Sequence, residues 1–221
     1  MKPVVAIFAH PDDEAFGPAG TLALLAKERP VYLICVTNGD AGINSHSDTT
    51  RTLSEIRREE LEASAKVLGI QKVYFLDYKD GTLCNNFYDA IAGKIETILD
   101  ELAPDMLLTY DQRGITGHLD HITVSMITSF IFERRSDIQE LWYYCVDITE
   151  QTLFREQYLD YFIYLPEGHR KQELTMKDVS SVWEQRLESM HQHKSQFHDI
   201  KRVLAVKQQL PHEEGFIIRK K

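Results

Sequence analysis

The feature that most constrains this chain is the segment 4–14, in which an apolar run ends abruptly in a histidine and three acids. Residues 4–9 (V-V-A-I-F-A) are all apolar, which is typical of a strand buried on both faces of a parallel sheet. His10, a proline and the acids at 12–14 follow directly. Open α/β sheets bind ligands at the carboxyl ends of their strands. We therefore expect a metal site and a general base at this strand end.

A simpler interpretation of the same motif is structural, because acids just after a strand often cap the next helix. Capping needs one acid, whereas Asp12, Asp13 and Glu14 stand together beside His10. A second histidine-rich segment, G-H-L-D-H at 117–121, follows another predicted strand. A metal takes ligands from more than one place, and this sequence offers two, so a metal centre is favoured.

Strand-like and helix-like segments alternate from residue 4 to about residue 146 and predict an α/β fold. We expect a Rossmann-like parallel sheet with helices on both faces, in one domain over residues 1–221. The predicted strands are 4–9, 30–37, 72–78, 105–110, 141–146 and 161–165. The predicted helices are 18–28, 52–68, 87–102 and 120–135, and a C-terminal helical elaboration at 178–198 with a short helix near 199–209.

The composition and the motifs of the chain argue against several classes of protein. The formal net charge of −9 argues against a nucleic-acid groove and, more weakly, against binding to anionic membranes. No apolar stretch approaches the roughly 18 residues that span a bilayer. Cys35, Cys84 and Cys145 are far apart and fit reduced thiols. With an M-K-P start that leads straight into a strand, they predict a cytoplasmic protein. No G-x-G-x-x-G follows the first strand, so a dinucleotide site is not expected.

The reactive candidates converge on one rim of the predicted sheet. They are His10, Asp12 and Asp13 after the first strand, Asp80 after the third, and His118, Asp120 and His121 after the fourth. A catalytic zinc takes three protein ligands and lowers the pKa of water to about 7. Two histidines and an acid can ligate, a spare acid can act as base, and a spare histidine can stabilise an oxyanion. Because consecutive side chains point differently, Asp12 and Asp13 are expected to divide the roles of base and ligand.

These segments resemble the LmbE-like/PIG-L family of zinc-dependent N-acetylglucosaminyl deacetylases. A-H-P-D-D-E at 9–14 and G-H-L-D-H at 117–121 resemble its two site motifs. Further resemblances, in the same order, are T-N-G-D-A-G at 37–42, R-R-E-E-L at 57–61, Y-K-D-G at 78–81 and H-K-S-Q at 193–196. The second motif usually reads H-P-D-H, and here Leu119 replaces the proline. Its histidines are intact, so we expect a change in loop rigidity and no loss of metal.

The resemblance implies a role for each matched residue. His10, Asp13 and His121 would ligate Zn2+, with Fe2+ as the alternative. Asp12 would be the general base and later the acid, His118 would polarise the carbonyl, and Asp120 would hold a histidine in its tautomer. Arg57 and Asp80 would contact the sugar or its substituent.

Structural interpretations stay open for four of the polar segments. Arg57 also fits a solvated ion pair on a helix, and Asp80-Gly81 equally signals a turn. The histidines at 191, 193 and 198 are expected on the surface, and His46 lies in a polar loop that would suit a lid.

The expected activity is metal-dependent removal of the N-acetyl group from an N-acetylglucosamine-type sugar conjugate, which releases acetate and a free amine. One alternative is a metal-dependent amidase acting on a non-sugar or thiol-conjugate amide, and another is a non-catalytic sugar-binding protein. A magnesium phosphotransfer enzyme is disfavoured, because two histidine ligands favour zinc or iron. The expected partner is a small-molecule amino-sugar conjugate, with no nucleic acid and no membrane, and homo-oligomers are common among relatives.

Overall fold

The computed structural model describes residues 1–45, 50–162 and 164–221. Seven strands form one sheet in the order β3-β2-β1-β4-β5-β7-β6. They are β1 (Val4–Phe8), β2 (Val31–Thr37), β3 (Lys72–Tyr78), β4 (Met106–Tyr110), β5 (Glu140–Cys145), β6 (Thr175–Asp178) and β7 (Glu213–Lys220). Neighbours among β1 to β5 are parallel, whereas β7 is antiparallel to β5 and β6. The predicted parallel α/β core is confirmed, and the complete sheet is mixed.

Helices cover both faces of this sheet, as predicted. They are α1 (Asp13–Phe16), α2 (Ala19–Glu28), α3 (Leu53–Leu68), α4 (Tyr88–Leu102), α5 (Gly114–Gly117), α6 (Leu119–Arg134), α7 (Ile148–Tyr158), α8 (Trp183–Gln192) and α9 (Phe197–Lys207). Helices α2, α3 and α8 pack on one face, and α4 and α6 on the other. Within the described ranges, no helix is both long enough and apolar enough to cross a membrane.

The apolar run of the N-terminal segment is explained by burial on two sides. Val4 and Phe8 belong to the core under α2 and α3, while Val5 and Ile7 belong to the core under α4 and α6. All five residues of β1 are buried. Strand β1 therefore lies at the centre of the molecule, and the residues that follow it emerge at the middle of the sheet edge.

Local sequence signals define helix α3 closely. Thr52 and Glu55 form a reciprocal capping box at its start, and Gly69 ends it in the left-handed conformation (φ 79°). Each such cap contributes about 1 kcal/mol to helix stability. The predicted helix at 52–68 is thus confirmed with its caps, and it carries Arg57 towards the end of β1.

The C-terminal third departs from the predicted pattern. The described residues of 161–165 form no strand: Leu159–Tyr161 is a 3-10 turn and Leu165 lines a cavity. Ile163 lies outside the described residues, as does His46. The predicted helix at 178–198 is divided: a 3-10 turn (Ser180–Val182) precedes α8, and a second one (Lys194–Gln196) separates α8 from the start of α9. Strand β7 was missed, because its apolar segment F-I-I pairs with β5 from about 70 residues away and carries no local turn signal.

The strand order reverses direction at β1, which pairs with β2 on one side and β4 on the other. Open α/β sheets form a crevice at the carboxyl ends of strands at such a switch point. Here the loops after β1 and β4 carry the two histidine-bearing motifs. The topology therefore brings the two segments together at one crevice.

Candidate metal centre and active site

The turn after β1 directs two consecutive acids to different places. Asp12 has a φ of 128°, a strained value for a residue other than glycine. Its backbone N–H donates to Glu14 Oε2 at 3.1 Å. Asp13 Oδ2 accepts from the backbone N–H groups of Ala9 (3.0 Å) and His10 (2.9 Å). The carboxylates of Asp13 and Glu14 thus hold the backbone of the turn, which leaves the side chain of Asp12 to face another partner.

The three predicted ligands meet at the crevice. His10 Nδ1 lies 3.0 Å from His121 Nε2. Asp13 Oδ1 lies 3.1 Å from His121 Nε2, and Asp13 Oδ2 lies 3.7 Å from His10 Nδ1. Ligand atoms of a tetrahedral zinc site with bonds of 2.0–2.2 Å lie about 3.4 Å apart. The three separations bracket that value, and all three side chains are buried, so the donor set and its spacing fit a divalent metal.

The outer nitrogen of each ligand-type histidine is held by an acceptor. His121 Nδ1 donates to the carbonyl oxygen of Gly114 at 2.9 Å. His10 Nε2 lies 3.0 Å from Asp80 Oδ1 and 3.4 Å from Asp120 Oδ2. With these nitrogens protonated, His10 Nδ1 and His121 Nε2 both turn their lone pairs to the shared centre. Acceptors of this kind fix the tautomer and orientation of metal-binding histidines.

Asp80 is the nearer of the two carboxylates to His10, and Asp120 links two loops. Asp120 accepts from the backbone N–H groups of Gly81 (2.8 Å) and Leu83 (3.0 Å), which ties the segment after β3 to the start of α6. Burial disfavours the charge of Asp80, but its hydrogen bond with His10 and the nearby positive charges lower its pKa below the usual value. Both acids therefore support His10.

Asp12 and Asp13 differ in protonation as well as direction. Burial raises the pKa of Asp12 to about 7, against the opposing charge of Arg57 and with a further contribution from Asp13. Burial by itself would also raise the pKa of Asp13. The charges and hydrogen bonds of His121 and His10 outweigh this effect and hold the pKa of that carboxyl well below its usual range. An acid whose pKa lies near neutrality suits proton transfer, and a permanently ionised one suits a ligand.

Arg57 is buried against Asp12. Its Nη2 donates to Asp12 Oδ2 at 2.8 Å and to the carbonyl oxygen of Pro11 at 2.5 Å, and Nη1 donates to that of Gly39 at 2.9 Å. Gly39 has a φ of 67°, and a Cβ there would lie 2.8 Å from the guanidinium carbon. The interpretation of Arg57 as a solvated helix pair is therefore wrong, while its predicted contact with substrate stays a prediction.

His118 stands at the rim of the centre as the N-cap of α6. Its Nδ1 accepts from the backbone N–H of Asp120 at 3.1 Å, so the ring proton resides on Nε2. The ring lies 4.6 Å from that of His10 and 5.1 Å from that of His121, centroid to centroid. Partial burial and these two rings lower the pKa of His118. It is therefore a neutral imidazole with an N–H to donate.

A buried network behind the first motif was not predicted. His193 Nε2 lies 2.7 Å from Glu14 Oε1, which also accepts from Ser64 Oγ at 2.5 Å. His193 and Glu14 are entirely buried, so the expectation that His193 lies on the surface is wrong. The signal in the sequence was the segment H-K-S-Q, whose histidine contacts Glu14, 179 residues earlier in the chain.

A second group of ligand-type side chains lies at the ends of β4 and β5. Asp111, Cys145 and His169 are all buried and close together. His169 Nε2 lies 2.6 Å from Asp111 Oδ2, and burial raises the pKa of Cys145, which stays a thiol. The histidine–carboxylate hydrogen bond accounts for this group as an internal pair that attaches the segment after α7 to the sheet.

A cavity of about 890 Å³ opens beside the centre. Its polar lining includes side chains already described, namely Asp12, Arg57, Asp80 and His118. Further polar side chains line it from the C-terminal half of the chain: Glu150, Gln151, Gln196, Asp199, Arg202 and Lys207. The remainder is lined mainly by aromatic and aliphatic side chains, among them Tyr110, Ile115, Tyr144, Val146, Phe154 and Leu165. A large cavity with a few converging polar groups is the usual form of a small-molecule site.

The site and fold define an α/β protein with a histidine–carboxylate centre at the switch point of its sheet. The PIG-L family, described as GlcNAc-PI de-N-acetylase, matches residues 5–132, and the chain belongs to this family. The predicted resemblance is therefore confirmed.

Individual relatives were found in Bacillus species. A probable N-acetyl-alpha-D-glucosaminyl L-malate deacetylase 2 of Bacillus cereus is 36% identical over 123 residues, which is 53% of this chain and 55% of that protein. The protein of the same name from Bacillus subtilis is 27% identical over 209 residues, 92% of this chain and 87% of that one. The match to the first thus spans about half of its length.

A solved structure shares the fold. The N,N'-diacetylchitobiose deacetylase from Pyrococcus horikoshii superposes with a TM-score of 0.71 and 24% identity, covering 99% of this chain and 84% of that one. This likeness confirms the predicted fold class.

Proposed function

We propose that this protein is a metal-dependent N-deacetylase that hydrolyses the acetamide of an N-acetylglucosamine-type sugar conjugate to acetate and a free amine. The observation that carries the proposal is the buried group of His10, Asp13 and His121 with Asp12 beside it. A ligand set and a base with a pKa of about 7 are the two parts that amide hydrolysis needs. Family membership and the names of the Bacillus relatives support it.

His10 Nδ1, His121 Nε2 and a carboxylate oxygen of Asp13 would hold the metal, which we propose to be zinc, with ferrous iron as the alternative. Two imidazoles and one carboxylate are a donor set that both ions accept. When bound, such an ion supplies a Lewis acid that polarises the amide carbonyl and acidifies water.

Asp12 carries the proton through the reaction. Its carboxylate accepts a proton from the water whose oxygen attacks the carbonyl carbon, and later gives it to the leaving nitrogen as the C–N bond breaks. Arg57 fixes the orientation of Asp12 through the 2.8 Å hydrogen bond. His118 donates its Nε2–H to the carbonyl oxygen as negative charge develops there. The products are acetate and the amino sugar.

The polar end of the cavity suits a sugar. Asp80 and Arg57 both line it, and we propose that their outward-facing atoms bind ring hydroxyls, while their inner atoms hold His10 and Asp12. The partner is then a small amino-sugar conjugate. The net charge of −9 does not favour a nucleic-acid substrate.

The test is acetate release from a panel of N-acetylglucosamine conjugates by protein reconstituted with Zn2+ or Fe2+. We expect release that Asp12→Asn lowers by roughly a hundredfold or more. Thiol-conjugate amides are assayed beside the panel by the appearance of free amine, and turnover of these alone would instead indicate the amidase. Sugar binding without turnover, unchanged in Asp12→Asn, would indicate a binding protein.

A further inference from the structure

Residues 111–117 connect β4 to α6, and this ligand turn holds one ring nitrogen of His121. The carbonyl oxygen of Gly114 accepts from His121 Nδ1 at 2.9 Å, which leaves Nε2 for the metal. Gly114 has a φ of 72°, and a Cβ there would lie 3.1 Å from His121 Cβ and 2.8 Å from Ile122 Cγ1. The turn is therefore packed tightly against the ligand, and the position of the Gly114 carbonyl group orients it.

Asp111 fixes the start of the ligand turn. Its carbonyl oxygen accepts from the backbone N–H of Gly114 at 2.9 Å, and its Oδ1 accepts from that of Arg113 at 2.8 Å. Its own backbone N–H donates to the carbonyl oxygen of Tyr144 in β5 at 3.0 Å. Asp111 is buried. Because its main chain and its carboxylate both hold the turn, the position of Gly114 follows the position of Asp111.

A strap of residues 164–169, after α7, lies along the start of the ligand turn. His169 Nε2 is 2.6 Å from Asp111 Oδ2, and the imidazole donates because an ionised carboxylate only accepts. Arg113 Nη1 donates to the carbonyl oxygen of Glu167 at 2.9 Å. Two hydrogen bonds, one given by each segment, thus join the strap to this part of the turn.

The second half of the ligand turn is also held by the strap. Gln151 Nε2 donates to the carbonyl oxygens of Ile115 in the turn (2.8 Å) and Pro166 in the strap (2.9 Å). A Cβ on Gly117 would lie 2.4 Å from the carbonyl oxygen of Tyr164. Ile115 has φ 61° and ψ −58°, which β-branched residues almost never adopt. Strained residues persist only where the surrounding structure over-determines them, and the strap supplies such contacts.

The strap is attached to the end of β5 through its main chain. The backbone N–H of His169 donates to the carbonyl oxygen of Val146 at 2.9 Å, and its carbonyl oxygen accepts from Ile148 N–H at 2.9 Å. A Cβ on Gly168 would lie 2.3 Å from the carbonyl oxygen of Asp147, so the two chains are in close contact. Removal of the imidazole therefore frees the ligand turn while the attachment of the strap remains.

We propose that the strap positions the metal centre and that His169 is the residue through which it does so. Through Asp111 and the carbonyl group of Gly114, His169 sets the direction of His121. The inference rests on the proposed function, in which His121 is a metal ligand. It gives a role to a segment outside the family-matched residues 5–132. Metal affinity then depends on a side chain that touches neither the metal nor the substrate.

The first test measures Zn2+ affinity by chelator competition, at a temperature well below the Tm of each variant. Loss of a direct acceptor typically weakens binding 10–100-fold, and His169 acts one step further out, so we expect His169→Ala to weaken it by about 3- to 10-fold. His169→Gln keeps a side-chain N–H for Asp111 and should restore most of the affinity. Unchanged affinity in folded His169→Ala would overturn the inference.

His212→Ala is the matched control for a loss of stability. His212 stacks on Trp183 with 3.7 Å between ring centroids, and it does not line the cavity. Its substitution should lower the Tm and leave Zn2+ affinity at the wild-type level. If His212→Ala and His169→Ala weaken Zn2+ binding equally, the effect is one of general stability and the inference fails.

The imidazole NMR signals of the metal-free protein test the path from His169 to His121. The Nδ1–H of His121, hydrogen-bonded to Gly114, should exchange slowly with water in the wild type and in His212→Ala. We expect the same proton to exchange several-fold faster in His169→Ala. An exchange rate that is equal in all three proteins would show that Gly114 does not follow Asp111, and would overturn the inference.

Turnover separates this inference from the proposed function. If the wild type hydrolyses N-acetylglucosamine conjugates, we expect His169→Ala to lower kcat with little change in KM. If no conjugate is hydrolysed and Zn2+ affinity still falls in His169→Ala, the proposed function fails and the inference stands. If His169→Ala has the kcat and the Zn2+ affinity of the wild type, the function stands and the inference fails.

Discussion

Arg57 Nη2 lies 2.8 Å from Asp12 Oδ2, and both side chains are buried at the end of β1. Burial alone would favour a protonated Asp12, and the guanidinium opposes it, so that the pKa of Asp12 comes to about 7. The carboxyl is thus poised to accept and return a proton near neutrality. Arg57 acts through Asp12, which makes it a positioning residue in addition to any contact with substrate.

We expect Asp12→Asn to reduce kcat by roughly 10²–10⁴-fold, because the amide cannot accept the proton of water. Metal content should stay at the wild-type level, since Asp12 is not one of the three converging ligand atoms. The measurement is acetate release together with elemental analysis. Asp89→Asn, at an exposed position on α4, is the matched control. Loss of metal in Asp12→Asn would show that Asp12 is a ligand.

Arg57→Lys retains the charge but loses the fork that reaches Asp12, Pro11 and Gly39 together. We expect a fall in kcat with little change in KM for a substrate that does not touch Arg57. We also expect a loss of about 3 kcal/mol in the free energy of unfolding, because buried partners are left unpaired. Urea unfolding and steady-state kinetics measure the two effects.

Arg58→Lys provides the comparison for that substitution. Arg58 pairs with Asp77 at the surface and stacks on Phe75, so its replacement should cost well under 1 kcal/mol. If Arg57→Lys raises KM and leaves kcat unchanged, Arg57 contributes uniform binding to substrate and does not position Asp12.

Asp80→Asn tests whether Asp80 orients His10. The carboxylate lies 3.0 Å from His10 Nε2, and loss of such an acceptor typically weakens metal affinity 10–100-fold. Chelator competition with Zn2+ measures the change directly. Asp77→Asn, three residues earlier and exposed, should leave metal affinity unaltered. A raised KM with unchanged metal affinity would assign Asp80 to the substrate alone.

The ligand-type residues were predictable because both motifs lie in the connection that follows a parallel strand, at its carboxyl end or at the start of the next long helix. A buried run ending in H-P-D-D and a second motif ending in D-H place His10, Asp13 and His121 at one sheet edge on topology alone. The tautomer of His10 and the ion pair of Arg57 were not predictable. They depend on Asp80 and Asp12, which lie 45 or more residues away from their partners and meet only through tertiary packing.

The C-terminal segment also could not be predicted from local sequence alone. Strand β7 reads as a short apolar patch, and only its antiparallel pairing with β5 makes it a strand. The segment 161–165 is apolar enough for a strand, yet Leu165 packs at the cavity, because β7 already occupies the sheet position beside β5. The hydrophobic pattern of the sequence does not show which of two apolar segments will occupy the position beside β5 in the sheet.

The buried pair of His193 and Glu14 makes stability depend on pH. Burial disfavours the imidazolium, but the charge and hydrogen bond of Glu14 overcome it and raise the pKa of His193 above its usual value of 6.5. A histidine with a raised folded-state pKa contributes stability that is fully present below the unfolded pKa. That stability is lost as the pH rises through the folded pKa. His193→Gln removes this contribution and leaves Glu14 with one partner fewer.

We therefore expect the difference in unfolding free energy between wild type and His193→Gln to be largest near pH 5.5. It should shrink as the pH rises through the folded-state pKa of His193, above which both states hold a neutral histidine. Urea unfolding of both proteins, saturated with the same metal at each pH, measures the difference. His191→Gln, at an exposed position two residues earlier, should show a small difference that is independent of pH. A difference for His193→Gln that stays constant or grows with pH would mean that His193 is neutral throughout, and that Glu14 is held by neutral hydrogen bonds alone.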